Sequence, residues 1–432
     1  MTLYMGGFFL FYCGIDIAKH NHEASIIDAE GKALLDSISF ANTKDGCEKL
    51  LALLERLNIT KADVIIGMEA TGHYWLSVYE YLTEHSFEVR VINPIQSEAF
   101  RKMYIRQTKN DSKDSFIIAQ VMRFGQYSAT TLSEENIVAM RQLSRYRLAL
   151  VDSCGDCKRR VIALLDQVLP EYDKLFSDTF GSTSKELLLK CPTPEDMLTI
   201  STRKLTTLLT KASHGRFGES KAKEIRTVAA DSFGVGFAKN AFSFQIRQLI
   251  EQLMFLENQI DELEEQISYL LHQTNEVITT IPGIGDTLGA IILSEIGDIH
   301  RFDDPNKLVA FAGLDVKVTQ SGEFTGTKQK ISKRGSPYLR RAIWLAAGRA
   351  AFCDPILSDY YQSLKARGKH HLTAVGAVAR KLCNIIFTIL RENRPYETTP
   401  PKKIKKIWRN RYAPIRTMAL HTDRYFIWRT QN

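Results

Sequence analysis

Asp16, Glu69, Asp111 and Asp114 are the residues of this chain best suited to do chemistry. Asp16 sits in an apolar run, Glu69 closes another, and Asp111 and Asp114 stand three apart. Hard divalent cations want several oxygen ligands in near-octahedral geometry, and two of them about 4 Å apart can activate an attacking oxygen and stabilise a leaving one in phosphoryl transfer. The set therefore reads as a metal-binding nuclease centre for Mg²⁺ or Mn²⁺, which accept the same ligands. Taken singly, each acid has a blander reading as a helix N-cap or a solvated surface carboxylate. Four together on suitable elements favour the metal.

The elements that must position them are legible. Phe11 to Ile17 is short and apolar, His22 to Asp28 and Ala33 to Phe40 follow with Gly31-Lys32 as the turn, and together they predict an antiparallel three-strand meander. A helix over Lys44 to Leu57 leads to Asp63 to Glu69, apolar on both faces and hence a buried, parallel strand. A helix from Tyr74 to Glu84 and a strand from Glu88 to Asn93 come next. The order β-β-β-α-β-α-β with right-handed crossovers resembles the ribonuclease-H fold, whose first and fourth strands lie side by side. Asp16 and Glu69 occupy those places. Asp111 and Asp114 precede the apolar stretch Phe116 to Met122 and project from one face of a helix near its N-terminus, where the macrodipole favours their charge.

A chain of 432 residues is long enough for two or three domains. Its formal charge of +8 has an uneven source, because residues 401–432 hold nine Lys/Arg against Asp423 alone. A second basic cluster runs from Lys317 to Arg349, with eight Lys/Arg and the single acid Glu323. Both are candidate phosphate-contact surfaces. The tail reads equally as a solvated end that raises solubility. Seven cysteines are scattered along the chain, and Cys154-Gly-Asp-Cys157 has ligand-like spacing but no second pair to complete a zinc site. The Gly6 to Cys13 stretch lacks a basic n-region, so it reads as a strand with a short leader. With no uninterrupted apolar span of eighteen residues, a cytosolic, reduced protein without a membrane partner is expected.

The middle of the chain is helical. Leu249, Leu253, Leu256, Ile260, Leu263, Ile267 and Leu270 alternate three and four apart as a coiled-coil seam. Its partner is either the earlier helix around Ile137 to Leu169 or a second subunit. Residues 171–240, with Pro192, Pro194 and Gly/Ser clusters, form an inserted, mostly helical subdomain. The organisation expected is thus an α/β domain at 10–130, a helical coiled-coil region at 131–275, a mostly helical domain at 276–395 and a basic tail at 396–432.

Beyond the coil, Ile281-Pro-Gly283-Ile-Gly285 resembles the turn of a helix-hairpin-helix element, whose glycines let backbone N–H groups approach a phosphate. Then come Phe311-Ala-Gly-Leu-Asp315, Ser321-Gly322-Glu323 and Ile331-Ser-Lys333-Arg334-Gly335-Ser336-Pro-Tyr-Leu-Arg340-Arg341. In that order, Gly14-Ile-Asp16-Ile-Ala-Lys, Glu69-Ala-Thr-Gly-His-Tyr, Lys109-Asn-Asp111-Ser-Lys-Asp114, the Pro-Gly-Ile-Gly turn and the Ser-Gly and Lys-Arg-Gly blocks resemble the insertion-sequence-110 family of transposases.

The resemblance implies a RuvC-like N-terminal domain with the DEDD residues Asp16, Glu69, Asp111 and Asp114, and a C-terminal transposase domain whose nucleophile is Ser321. It further implies recombination of donor and target DNA guided by a noncoding bridge RNA. A neutral serine needs a base or a metal-bound oxygen to take its proton and cations to hold the pentacoordinate phosphate. Lys328, Lys330, Lys333, Arg334, Arg340 and Arg341 are candidates for the cations and for backbone contacts, with Gly283 and Gly285. Ser336 is the rival nucleophile, although it follows Gly335 where it reads better as a helix cap. Ser321 has its own bland reading as a turn serine. Holding two duplexes calls for a homo-oligomer, a dimer or tetramer. The implied location is the cytoplasm of a bacterial or archaeal cell, in association with the nucleoid. The alternatives are a metal-dependent nuclease resembling Holliday-junction resolvases, or a noncatalytic nucleic-acid scaffold.

Overall fold

Alternation of side chains along the first strands determines how the N-terminal part is built. The computed structural model describes residues 11–70, 73–92, 94–101, 111–125, 129–130, 135–274, 277–316, 320–321, 324–325 and 331–398. The chain divides into two compact units, Met1–Leu132 and Ser133–Asn432.

In the first unit, β1 (Phe11–Asp16), β2 (Asn21–Asp28) and β3 (Ala33–Ala41) form the meander, followed by α1 (Lys44–Arg56), β4 (Val64–Glu69), α2 (Trp75–Glu84), β5 (Glu88–Ile92), α3 (Pro94–Arg101), α4 (Asp111–Phe124) and β6 (Ala129–Thr130). The sheet order is β3-β2-β1-β4-β5-β6. Pairing is antiparallel between β1 and β2 and parallel between β1 and β4 and between β4 and β5. Cys13, Ile15, Ile66 and Met68 meet Cys47, Leu50 and Leu54 of α1 and Val78 and Leu82 of α2 on one face. Ile65 and Ile92 meet Ile117, Ile118, Val121 and Met122 of α4 on the other. Covering both faces explains why β4 reads as an unbroken apolar run. The short α3 and β6 have no periodic signal in the sequence.

The second unit is dominated by helices. Two 34-residue helices, α5 (Glu135–Val168) and α10 (Lys239–His272), pair within the chain. Arg147 Nε donates to Glu264 at 2.8 Å and Lys158 lies 3.3 Å from Glu257, so partners descend on one helix as they rise on the other and the pair is antiparallel. The buried row on α10 is Ile246, Ile250, Leu253, Leu256, Ile260, Ile267 and Leu271. Leu249, Leu263 and Leu270 of the expected seam are only partly buried, because α10 faces different neighbours along its length.

Between the two helices, α6 (Ser182–Lys190), α7 (Pro194–Thr199), α8 (Thr202–Ala212) and α9 (Glu219–Ala230) pack around Leu187, Leu205, Leu209 and Ile225 against the distal part of the pair. Cys154 and Cys157 are free thiols buried on α5 in that core. After α10 come α11 (Asp286–Ile296), α12 (Pro305–Phe311), the hairpin of β7 (Gln320–Ser321) and β8 (Phe324–Thr325), α13 (Pro337–Cys353), α14 (Pro355–Ala366) and α15 (His371–Glu392). Among the described residues, α15 is the one helix long and apolar enough to cross a membrane by length and mean hydropathy, although Arg380-Lys381 interrupts its apolar run; it packs as a core helix, with Val375, Val378, Leu382, Cys383 and Ile386 buried against α12–α14.

Candidate functional site

In the first unit, three of the four expected carboxylates come to one end of one sheet face. β1 and β4 run parallel with Ile15 opposite Met68, so Asp16 and Glu69, each the next residue, close adjacent strands at the same edge. Side chains alternate, and Asp16 therefore shares a face with Gly14, as Glu69 does with Gly67. Gly14 and Gly67 are themselves cross-strand partners. Helix α4 lies directly on this glycine pair: a Cβ on Gly14 would stand 2.1 Å from the Ser115 carbonyl oxygen, and one on Gly67 would stand 2.4 Å from Met122 Cγ. The buried hydroxyls of Ser25 and Ser115, 2.7 Å apart, tie β2 to the same helix.

The direction of α4 brings its acids to the strand ends. Gln120 Nε2 donates to the Gly31 carbonyl at 3.0 Å, at the opposite end of β2, so the N-terminal turn of α4 points toward Asp16. Asp114 is 7% exposed there. Its Oδ1 lies 2.9 Å from Arg101 Nη2 yet accepts no well-aligned hydrogen bond, and Arg101 also binds Glu98 at 2.7 Å. Asp111 opens α4, three residues earlier; its side chain lies outside the described residues.

The donor chemistry suits a hard divalent cation, being all oxygen, with one buried carboxylate oxygen short of a hydrogen bond and drawing a guanidinium to itself. Among the described residues no three His, Cys, Asp or Glu side chains form a group able to hold a metal ion. Asp16, Glu69 and Asp114 are thus not a closed cage by themselves. Sequence reasoning missed Glu23, the cross-strand partner of Asp16 on the same face, whose carboxylate accepts from Ser37. Its signal was only the register of the β1–β2 hairpin.

In the second unit, Ser321 ends β7 and pairs with Phe324 across the hairpin. The side chain of Ser321 and the whole of Lys328 and Lys330 lie outside the described residues. Lys333 and Arg334 are exposed, with Lys333 at φ +55°. Arg340 Nη1 donates to the Ala312 carbonyl at 3.3 Å, and Arg341 pairs with Asp152 at 2.8 Å, so each has a partner within the chain. Ser336 caps α13, accepting from Leu339 N at 3.1 Å while donating to Glu295 at 2.8 Å. Gly283, at φ +94°, packs against the backbone of α13 with only 2.8 Å to spare for a Cβ. Gly285 stands at the N-terminus of α11 in open space.

Glu295 was invisible as a site residue because, with the other acid of α11, Asp286, opening the helix, it stands alone in the apolar C-terminal half. Its side chain is 3% exposed, and Arg145 grips it through Nε at 2.6 Å and Nη2 at 3.1 Å. Burial is the largest single influence on the Arg145 guanidinium and would lower it, but the hydrogen bonds and charge of Glu295, with a further contribution from Tyr338, together outweigh burial and hold it above its usual value.

Comparison with known proteins follows these features along the chain. Residues 13–170 match the transposase family designated DEDD_Tnp_IS110, and residues 275–362 match the family "Transposase IS116/IS110/IS902". The insertion element IS116 uncharacterized 44.8 kDa protein of Streptomyces clavuligerus is 24% identical over 90% of this chain and 97% of its own length. The pilin gene-inverting protein of Moraxella bovis is 25% identical, covering 89% of this chain and 97% of its own. The mini-circle putative transposase for IS117 of Streptomyces coelicolor is 25% identical over 84% and 89% respectively.

Proposed function

Because this chain belongs to the IS110 family of insertion-sequence transposases, we propose that it recombines DNA under the guidance of a noncoding bridge RNA, through a serine-linked phosphodiester. The observation that carries the reading is that Asp16, Glu69 and the N-terminal turn of α4 lie at the same end of the sheet. The order β3-β2-β1-β4-β5, with the first and fourth strands adjacent, supports a ribonuclease-H-like, RuvC-like domain at 10–130. The remaining divisions are the helical region at 131–275 with its inserted subdomain, the transposase domain at 276–395 and the basic tail at 396–432.

Asp16, Glu69, Asp111 and Asp114 hold Mg²⁺ or Mn²⁺ in this proposal. When bound, the ion supplies charge neutralisation at the scissile phosphate and favours deprotonation of an attacking oxygen. Ser321 Oγ forms a bond to phosphorus as the P–O3′ bond breaks, and the 3′-hydroxyl leaves with a proton. After strand exchange the new 3′-hydroxyl attacks the phosphoserine and restores the serine. No ATP is needed, because the covalent link conserves the phosphodiester. Lys328, Lys330, Lys333 and Arg334 neutralise phosphate charge, and Gly285 leaves a helix N-terminus open to a backbone phosphate. The working form is a homo-oligomer, a dimer or tetramer, in the cytoplasm.

The test incubates the full chain with Mg²⁺, the element's own DNA ends and its flanking transcript, followed by denaturing gel and mass spectrometry. The expected result is an RNA-dependent protein–DNA adduct at Ser321 that disappears in Ser321→Ala. Cleaved DNA with free ends in both wild type and Ser321→Ala would replace this reading with a hydrolytic, Holliday-junction-type nuclease. An adduct mapped to Ser336 would move the nucleophile.

A further inference from the structure

Three arginines gather around the C-terminal end of α11. Arg141 and Arg145 lie one turn apart on α5. Arg141 Nε donates to the Ser294 carbonyl at 2.7 Å, and Arg145 is committed to Glu295 while its guanidinium stands 4.7 Å from the Tyr338 ring centroid. Arg301 comes from the 3-10 turn Ile299–Arg301 and is exposed. Its guanidinium lies 4.6 Å from the Phe302 ring centroid and 4.5 Å from that of Phe311, so two aromatic faces hold the planar group at the surface.

The cluster carries more positive than negative charge. Glu295 has Arg145 on both oxygens and the Ser336 hydroxyl besides. Asp298, the other neighbouring acid, turns Oδ1 to the His300 backbone N–H at 2.8 Å. Cover of the guanidinium by its neighbours and then the charge of Arg141 push Arg301 below its usual value, while Asp298 and Glu295 oppose them.

Phe311 links this cluster to the Lys-Arg-Gly loop. The Phe311 carbonyl accepts from Ser336 N at 3.0 Å, Gly335 at φ +94° comes so near that a Cβ would stand 2.1 Å from the same oxygen, and Gly313 similarly abuts the Arg334 carbonyl at 2.2 Å. The ring on which Arg301 stacks therefore belongs to the residue that holds the Gly335–Ser336 step, while Gly313, two residues on, accepts from the Lys333 backbone N–H. Side-chain contacts of Arg141 and Arg145 to α11, the stacking of Arg301 on Phe311, and the backbone bonds from Phe311 and Gly313 thus connect the cations of α5, the 3-10 turn and that loop.

We propose that Arg301 and Arg141 form a phosphate-binding site for the sugar–phosphate backbone of a polynucleotide, beside the Lys333–Arg334 loop, with Arg301 held in place by Phe302 and Phe311. The inference rests on the reading that the chain handles nucleic acid. It adds a contact outside the Ser-Gly and Lys-Arg-Gly blocks. A fork-shaped donor pinned between rings suits a backbone phosphate, because little freedom is lost on binding.

The experiment measures binding of full-length wild type, Arg301→Gln and Arg301→Lys to a labelled DNA duplex and, in a second arm, to a labelled single-stranded RNA, between about 50 and 200 mM salt. The expected result is a slope of log K against log salt reduced by about 0.9 for duplex, or about 0.7 for single strand, in Arg301→Gln, with Arg301→Lys close to wild type. The arm that loses slope identifies the polynucleotide. Unchanged slopes in both arms with a wild-type thermal melt would overturn the site while leaving the functional reading standing. Wild type that binds neither polymer would overturn both. If Arg301→Gln does not fold, phenylglyoxal modification of wild type decides: protection of Arg301 by either polymer supports the site, and equal labelling with and without both removes it.

Discussion

Replacing Gly14 by alanine tests whether the approach of α4 to β1 governs both stability and chemistry. The new methyl would stand 2.1 Å from the Ser115 carbonyl oxygen and 2.4 Å from Ala119 N, whereas ordinary contact begins near 3.4 Å. Both obstacles are backbone atoms of one helix, so no rotamer change relieves them and α4 must withdraw by about 1 Å. Overpacking of this kind costs about 1–3 kcal/mol, and a gap of that size forfeits up to about half the dispersion between Ile117, Ile118 and Val121 and the sheet. A loss of about 3 kcal/mol is expected by urea denaturation. The same withdrawal carries Asp111 and Asp114 away from Asp16 and Glu69, and a misplacement of about 1 Å in a reacting constellation costs about a hundredfold in rate. Gly67→Ala should be milder, about 1–2 kcal/mol, because its obstacle is the flexible Met122 side chain. Gly348→Ala, within α13 and with nothing within 4 Å of its Cβ, should stabilise by up to about 1 kcal/mol. Gly14→Ala within about 0.5 kcal/mol of wild type and fully active in DNA cleavage would refute the reasoning.

Three further outcomes follow, two of them from the second unit alone. Asp286 is held below its usual value of 3.8, chiefly by the Ser268 hydroxyl at 2.6 Å and then by His272 at 3.0 Å. A depressed carboxylate stabilises the fold above its unfolded value, and the benefit is lost as pH falls through the folded one; Ser268→Ala should therefore lower stability near neutrality and shrink the loss on acidification below pH 3.8, measured by denaturation across the acid range. Tyr396→Phe removes a 2.7 Å hydrogen bond to buried Asp354 and should cost about 1–2 kcal/mol in a thermal or chemical melt. Of the seven free thiols only Cys353 is exposed, while burial pushes Cys13 and Cys383 up to about 12; thiol titration should find one fast group in native protein and seven after unfolding.

What was legible in the sequence was whatever depends on neighbours in the chain. The strands that carry Asp16 and Glu69 announce themselves because each is a short apolar run ending in an acid, and the ends of β2, β3, β4 and β5 fall within about a residue of expectation. The Ser336 cap was legible from the Ser-Pro step. Glu23 and Glu295 were not, because each acquires meaning from a partner far away: Glu23 from the register with Asp16, and Glu295 from Arg145, 150 residues distant. The heptad pattern of α10 left its partner open for the same reason. Periodicity says that a face is covered and is silent about which helix covers it, and here the cover changes along the length from the four-helix subdomain to α11.

The paired helices also act as a ruler. Each contains 34 residues, or about 50 Å at 1.5 Å per residue, with the inserted subdomain clasping the stretch around Val161 and Ile250 and α11 seated near Met140 and Leu271. The interval between those two bodies is consequently quantised. Adding one residue to either helix would turn every later side chain by about 100°, tearing Arg141 and Arg145 from Ser294 and Glu295, whereas adding about seven to both would lengthen the strut by about 10 Å with its faces nearly in phase. Length in this chain is free to change only in matched double turns, and a relative with a longer strut should show its insertions in both helices at once.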